Sequence, residues 1–197
     1  MTHLPYAHIR RQRGTTLVEV LVTVVVLAFG LLGIAAFQAK AQVGSIEAYQ
    51  RAQAVVLLED LQARMSGNPA QAAGYVTDAE TPLGTDDEPG NCSTLTERSA
   101  RDKCEWSTAL QGAAEVKGEA DVNAGAMLGA RGCVTEIQAR DAAPGVCQPG
   151  IYQLTVAWQG MHATRAPSHV CGNGEYGAET HRRAIGARVA VGVPDCK

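Results

Sequence analysis

The chain lacks the short motifs that most often mark a catalytic site: G-x-S-x-G, H-E-x-x-H, the phosphate-cradling G-x-x-x-x-G-K-[ST] and C-x-x-C are all missing. Without C-x-x-C, zinc sites built from closely spaced cysteines lose their basis. Net positive charge is missing too. The formal charge is −3, so bulk electrostatics leaves no footprint for nucleic acid. Arg182 and Arg183 beside His181 read as a solvated strand end. His162, His169 and His181 share a loop-rich region with no nucleophile partner and read as surface residues. The acidic run from Asp86 to Asn91 lacks the alternating oxygen ligands of an EF-hand loop and reads as a solvated loop. Asn91-Cys92-Ser93 formally matches an N-glycosylation sequon. No catalytic residue, metal site or cofactor is assigned, and the sequence reads as a non-enzyme.

Charge is also missing from Val20 to Ala39, twenty uncharged residues in a row. A helix rises about 1.5 Å per residue, so this run covers the roughly 30 Å of a bilayer's hydrocarbon. One carboxylate, Glu19, stands at its N-terminal edge, where an acid is costly unless it finds a cation and so reads as functional. Arg10, Arg11 and Arg13 precede it. By the positive-inside rule they hold that end in the cytoplasm and send the C-terminal part across the membrane.

An ordinary secretory signal is cut after its apolar region, whereas here a basic leader ends in Gly14 directly before it. Gly14, Thr15 and the Thr16-Leu17-Val18-Glu19 pattern resemble the class III signal of type IV prepilins. The resemblance implies cleavage by a prepilin peptidase between Gly14 and Thr15, N-methylation of Thr15, and Glu19 as the fifth residue of the mature chain and its subunit-assembly residue. Phe or Met is usual in that family where Thr15 stands. A carboxylate inside a helical bundle needs a cation, and cleavage would create one, the new α-amino group of Thr15 on a neighbouring subunit.

Loss of the leader's three arginines leaves 14 basic against 20 acidic side chains, a net of −6. About 130 residues lie beyond the helix, enough for one small core. The six cysteines, Cys92, Cys104, Cys133, Cys147, Cys171 and Cys196, all lie in this exported part. An even count in an oxidising compartment argues for up to three disulfides, and six cysteines allow fifteen pairings. The nearest-neighbour set, Cys92 with Cys104, Cys133 with Cys147 and Cys171 with Cys196, is the expectation taken forward.

The sequence organises as a leader over 1–14, a transmembrane or filament-core helix over 15–39, an amphipathic continuation over 40–66, and an exported α+β domain over 67–197. Ala54, Leu57, Leu58, Leu61 and Met65 recur at helical spacing with Glu59 on the far side. Gly30 and Gly33 suit either close helix packing or a hinge. Gly67 suits a left-handed cap, and Pro69 stops the pattern. Residues 67–97 read as a polar surface loop, acidic at Asp78, Glu80, Asp86, Asp87 and Glu88 and pinned by Cys92. Arg98 to Gln111 reads as a second helix carrying Cys104, Trp106 and Leu110. Strands follow at Cys133–Ile137, Ile151–Trp158 and Ala184–Val191, with a hairpin loop over Asp141–Gly150 between the first two. A small antiparallel sheet of three or four strands, stabilised by disulfides, then packs on the amphipathic half of the long helix. Trp158 and Tyr176 fit either core or interface.

The segment from Tyr152 to Gly160, the loop cysteine Cys171 and a final strand resemble minor pilins of the PilV family, as does the run from Thr16 to Gln38. That resemblance implies a minor pilin that primes or joins a type IV pilus. Its partners would be other minor pilins, the major pilin, prepilin peptidase, the inner-membrane assembly platform and, before assembly, membrane lipid; no nucleic acid partner is assigned. The place would be the bacterial inner membrane with the C-terminal domain in the periplasm, then the pilus surface. Two alternatives stay open: a minor pseudopilin of type II secretion, and a membrane-anchored periplasmic binding or sensory domain.

Overall fold

The computed structural model describes residues 14–77, 81–112, 116–117, 122–123 and 127–194. The leader with Arg10, Arg11 and Arg13, Asp78 and Glu80 of the acidic connection, and Cys196 lie outside the described residues. The chain divides into two compact units, Met1–Gly44 and Ser45–Lys197, and helix α1, Leu17–Ser66, runs through the boundary.

In the first unit every described residue from Gly14 to Gln42 is exposed. The helix stays regular through Gly30 and Gly33, and a Cβ at either position would meet open space. Neither glycine is demanded by a contact among the described residues.

In the second unit, α1 buries Gln50, Ala54, Leu58, Leu61 and Met65, with Leu57 packed beside them and Glu59 exposed. This is the stripe that the 3.6-residue period demands. Gly67 ends the helix without entering the left-handed region, which corrects the cap expectation: it is absent from the positive-φ glycines, and its N–H donates to the Ala63 carbonyl at 2.9 Å. Pro69 then opens a 3-10 turn, Pro69–Tyr75. That turn buries Ala72 and Tyr75, so residues 67–97 are not wholly a surface loop. Apolar side chains at these two positions give the segment a reason to fold inward.

Next come β1 (Leu83–Gly84), a 3-10 turn (Cys92–Thr94), α2 (Arg98–Leu110), and a separate two-stranded sheet of β2 (Val116–Lys117) and β3 (Val122–Asn123). Then β4 (Arg131–Gln138), β5 (Gly150–Gln159) and β6 (Arg182–Val191) complete an antiparallel sheet ordered β1-β4-β5-β6. The three predicted strands and the second helix are all present. The fourth strand, β1, is two residues long and sits inside the expected loop. The architecture is α+β, a long N-terminal helix on a small four-stranded sheet.

Tyr152, Leu154, Val156 and Trp158 of β5, Val134 of β4, and Val189 and Val191 of β6 join the helix stripe, Trp106 and Leu110 in one core. Trp158 is therefore core. Trp106 is fully buried and donates its indole N–H to the Leu57 carbonyl at 2.9 Å. Its ring fits because position 132 is glycine: a Cβ there would fall 2.2 Å from the ring.

Over its C-terminal half β5 is buried on both faces, from Leu154 to Trp158. Thr155 and Ala157 alternate with the core-facing residues and are also buried, and Cys171 and Gly172 of the connection between β5 and β6 approach them. A disulfide between Cys133 and Cys171 ties that connection to β4, with Cα atoms 5.8 Å apart. This overturns the nearest-neighbour pairings of Cys133 with Cys147 and of Cys171 with Cys196. The reason lies in register: Cys133 stands opposite Thr155, and the Cys171 sulfur lies 3.8 Å from the Thr155 carbonyl oxygen. The expected bridge between Cys92 and Cys104 is present, and Cys147 is also disulfide-bonded.

Candidate functional site

Gly14, Thr15 and Thr16 precede the first helical turn, and all three are exposed. A Cβ at Gly14 would meet nothing within 4 Å. No contact among the described residues requires glycine here. A glycine that the chain's own conformation does not need fits a residue read by another protein.

Thr16 caps the helix. Its hydroxyl accepts from the Glu19 N–H at 3.3 Å, and its carbonyl accepts from Glu19 at 3.0 Å and Val20 at 3.2 Å. Thr16 and Glu19 thus have the S/T-x-x-E spacing of a capping box. Glu19 is held in the first turn, where the helix dipole favours a carboxylate. Sequence reasoning singled out Glu19 and missed the capping role of Thr16, although the spacing alone carries that signal. Among the described residues Glu19 has no ion-pair partner.

Beyond Glu19 the helix presents apolar side chains all round, with Leu27, Phe29, Leu32 and Phe37 each more than 60% exposed. An 18-residue window within α1 has a mean hydropathy of 2.8 and no buried residue, so the helix is long and apolar enough to cross a membrane. A helix apolar on every side is stable in lipid or among other helices.

In the second unit the polar constellations hold the structure together. Arg182 is 3% exposed and donates to the carbonyls of His169, Cys171 (3.2 Å) and Pro167 (3.4 Å) and to Glu179 at 2.6–2.7 Å. Arg183 pairs with Glu47 at 3.0 Å and donates to the His162 carbonyl at 2.7 Å. The reading of these arginines as a solvated strand end is overturned, because loop carbonyls replace water around the Arg182 guanidinium. Arg131, also buried, pairs with Asp86 and Glu175 and lies 5.4 Å over the Tyr176 ring. Tyr176, 7% exposed, donates to the Gly129 carbonyl at 2.7 Å, and burial pushes its phenol up. A cleft of about 490 Å³ lined by Thr85, Asp86, Asp87, Arg131 and Glu175 adjoins this cluster. The Gly174 N–H and Arg182 hold the Glu179 carboxyl below its usual range. His162 is exposed, and His169 and His181 are half-buried.

Comparison with curated proteins and with solved structures gave no significant match. Residues 9–35 match the family model of the prokaryotic N-terminal methylation motif, a span that contains Gly14, Thr15 and Glu19. The chain therefore carries the N-terminal motif of type IV pilin-like and pseudopilin-like proteins, which implies processing by a prepilin peptidase.

Proposed function

We propose that this chain is a minor pilin of the PilV type that primes or joins assembly of a type IV pilus. The observation that carries the reading is the methylation-motif match over residues 9–35 on a helix whose long apolar run opens at one carboxylate, Glu19, which has no ion-pair partner among the described residues. Prepilin peptidase removes residues 1–14, and Thr15 becomes the methylated N-terminus. Residues 15–39 lie in the inner membrane and then in the filament core, 40–66 continue the helix, and 67–197 form the exported domain. Glu19 meets the Thr15 α-amino group of a neighbouring subunit. In low dielectric that pair sets axial register, because a carboxylate left alone there is heavily penalised.

The test is mass spectrometry of the N-terminal peptide from sheared surface filaments and, separately, from membranes of the native host. A peptide beginning at Thr15 in filaments is the expected result. Cleavage seen in membranes alone favours a role in priming assembly or in secretion over incorporation, and an intact leader through Gly14 overturns the reading in favour of an anchored periplasmic domain. Glu19→Ala should insert normally and fail to enter filaments; normal incorporation refutes its role.

A further inference from the structure

β6 forms one edge of the main sheet, and its outer row of backbone groups pairs with no strand among the described residues. Its ladder with β5 runs in unbroken register from Arg182 opposite Gln159 to Val191 opposite Gly150. No bulge or proline interrupts it, and proteins normally blunt or cover an edge this long and regular. Beside it lies a groove of about 330 Å³ lined by Arg51, Val55, Leu58 and Glu59 of α1 and by Ile185 and Ala187 of β6. Val55 is 41% exposed. Arg51 and Glu59 are exposed, and neither has an ion-pair partner among the described residues. Eight helical residues span about 12 Å, and four residues of an extended strand span about 13 Å with positions i, i+2 and i+4 on one face. A strand with an acid, an apolar residue and a base at those three positions therefore matches the groove in charge and in length.

We propose that the β6 edge docks an extended segment of a different exported protein, which adds a fifth strand and sets an apolar side chain in the groove between an acid facing Arg51 and a base facing Glu59. Main-chain bonds supply the attachment and the groove supplies selectivity, the logic of strand addition. A second copy fits poorly: its own edge strand, Arg182–Val191, holds no acid to face Arg51. The choice of an exported partner rests on the membrane-anchor reading above.

The test uses the full chain in detergent, extended after Lys197 by a Gly-Ser linker of about six residues and the segment Thr-Asp-Thr-Val-Thr-Lys-Thr, or the same segment with Asp and Lys exchanged. Tethering raises the effective concentration to the millimolar range. Amide exchange at alternating β6 positions should slow at least about tenfold relative to a linker-only chain. One charge order should protect up to about fivefold more than the other, and an R51E/E59R double variant should invert that preference. Equal exchange with and without the segment, or a preference that fails to invert, overturns the proposal. A dimer of the unextended chain in sedimentation also overturns it, as does a photoreactive residue at Ala190 that crosslinks in the native host only to lipid or to another copy. Crosslinking into an extended segment of another exported protein that has the acid, apolar and basic residues at alternate positions supports it.

Discussion

Replacing Cys133 and Cys171 together by alanine removes a crosslink between residues 38 apart in sequence. In the chain-entropy account, closing a loop of that length is worth about 4 kcal/mol. The bridge between Cys92 and Cys104 closes only 12 residues and is worth about 3 kcal/mol. The two losses are close in size, so the form of the loss is the sharper test. In the folded protein the connection over β5 keeps its other anchors: Arg182 still donates to the carbonyls of Pro167, His169 and Cys171, and Tyr176 still donates to Gly129. The penalty should therefore arise mainly in the unfolded chain. Urea unfolding of the full chain in detergent, followed by the fluorescence of the buried Trp106 and Trp158, should show a lower midpoint with an equal or steeper slope, since a less constrained unfolded chain exposes more surface. Native-state amide exchange over residues 161–181 should change little. A loss below about 1 kcal/mol refutes the loop-entropy argument. Free exchange of that segment with the core intact would show that the disulfide, and not Arg182, holds the connection down. Non-reduced peptide mapping should recover Cys133 joined to Cys171 and never to Cys147.

Gly132→Ala should cost about 2–3 kcal/mol, because the new methyl falls 2.2 Å from the Trp106 ring and overpacking costs about that much; a midpoint unchanged in urea refutes it, and adding Trp106→Phe should recover part of the loss. Burial and the hydrogen bond to Asp102 push the Tyr75 phenol up to about 12. Its folded pKa is raised, so its stabilisation is complete below about pH 10 and is lost as pH rises from about 10 to 12, by about 2 kcal/mol; Tyr75→Phe should flatten that alkaline slope. Glu179 is depressed instead, so its contribution is present above the ordinary carboxylate range and lost as pH falls through its folded pKa. Amide protection over residues 161–178, taken relative to the intrinsic exchange rate at each pH, should fall on acidification in the native chain and show no such step in Glu179→Gln.

The parts of the fold legible in the sequence are those governed by short periods. Ala54, Leu57, Leu58, Leu61 and Met65 declared their face through helical spacing, and β5 through alternation. Gly14 and Glu19 stand out in the sequence because a glycine before an apolar run and an acid at its edge both break the local pattern, and both fall in the span that matches the methylation motif. What stayed hidden depends on residues distant along the chain. The partner of Cys133 is decided by which loop crosses the back of β5, and sequence separation carries no such information. Buried Arg182 looked like a solvated charge because its partners are mostly main-chain carbonyls, which every residue has and no sequence advertises. The glycine at 132 is explained only once Trp106, from another element, lies across it.

The Cys133–Cys171 bridge has a mechanical meaning as well. A chain pulled from its ends lengthens as folded segments release their slack, and the residues between these two cysteines hold about 130 Å of extended contour. Covalently closed, that length cannot be paid out while the bridge is intact. A load carried through the domain would pass across one sulfur–sulfur bond from β4 to the connection over β5, and the domain would resist stretching there even after its hydrogen bonds had given way.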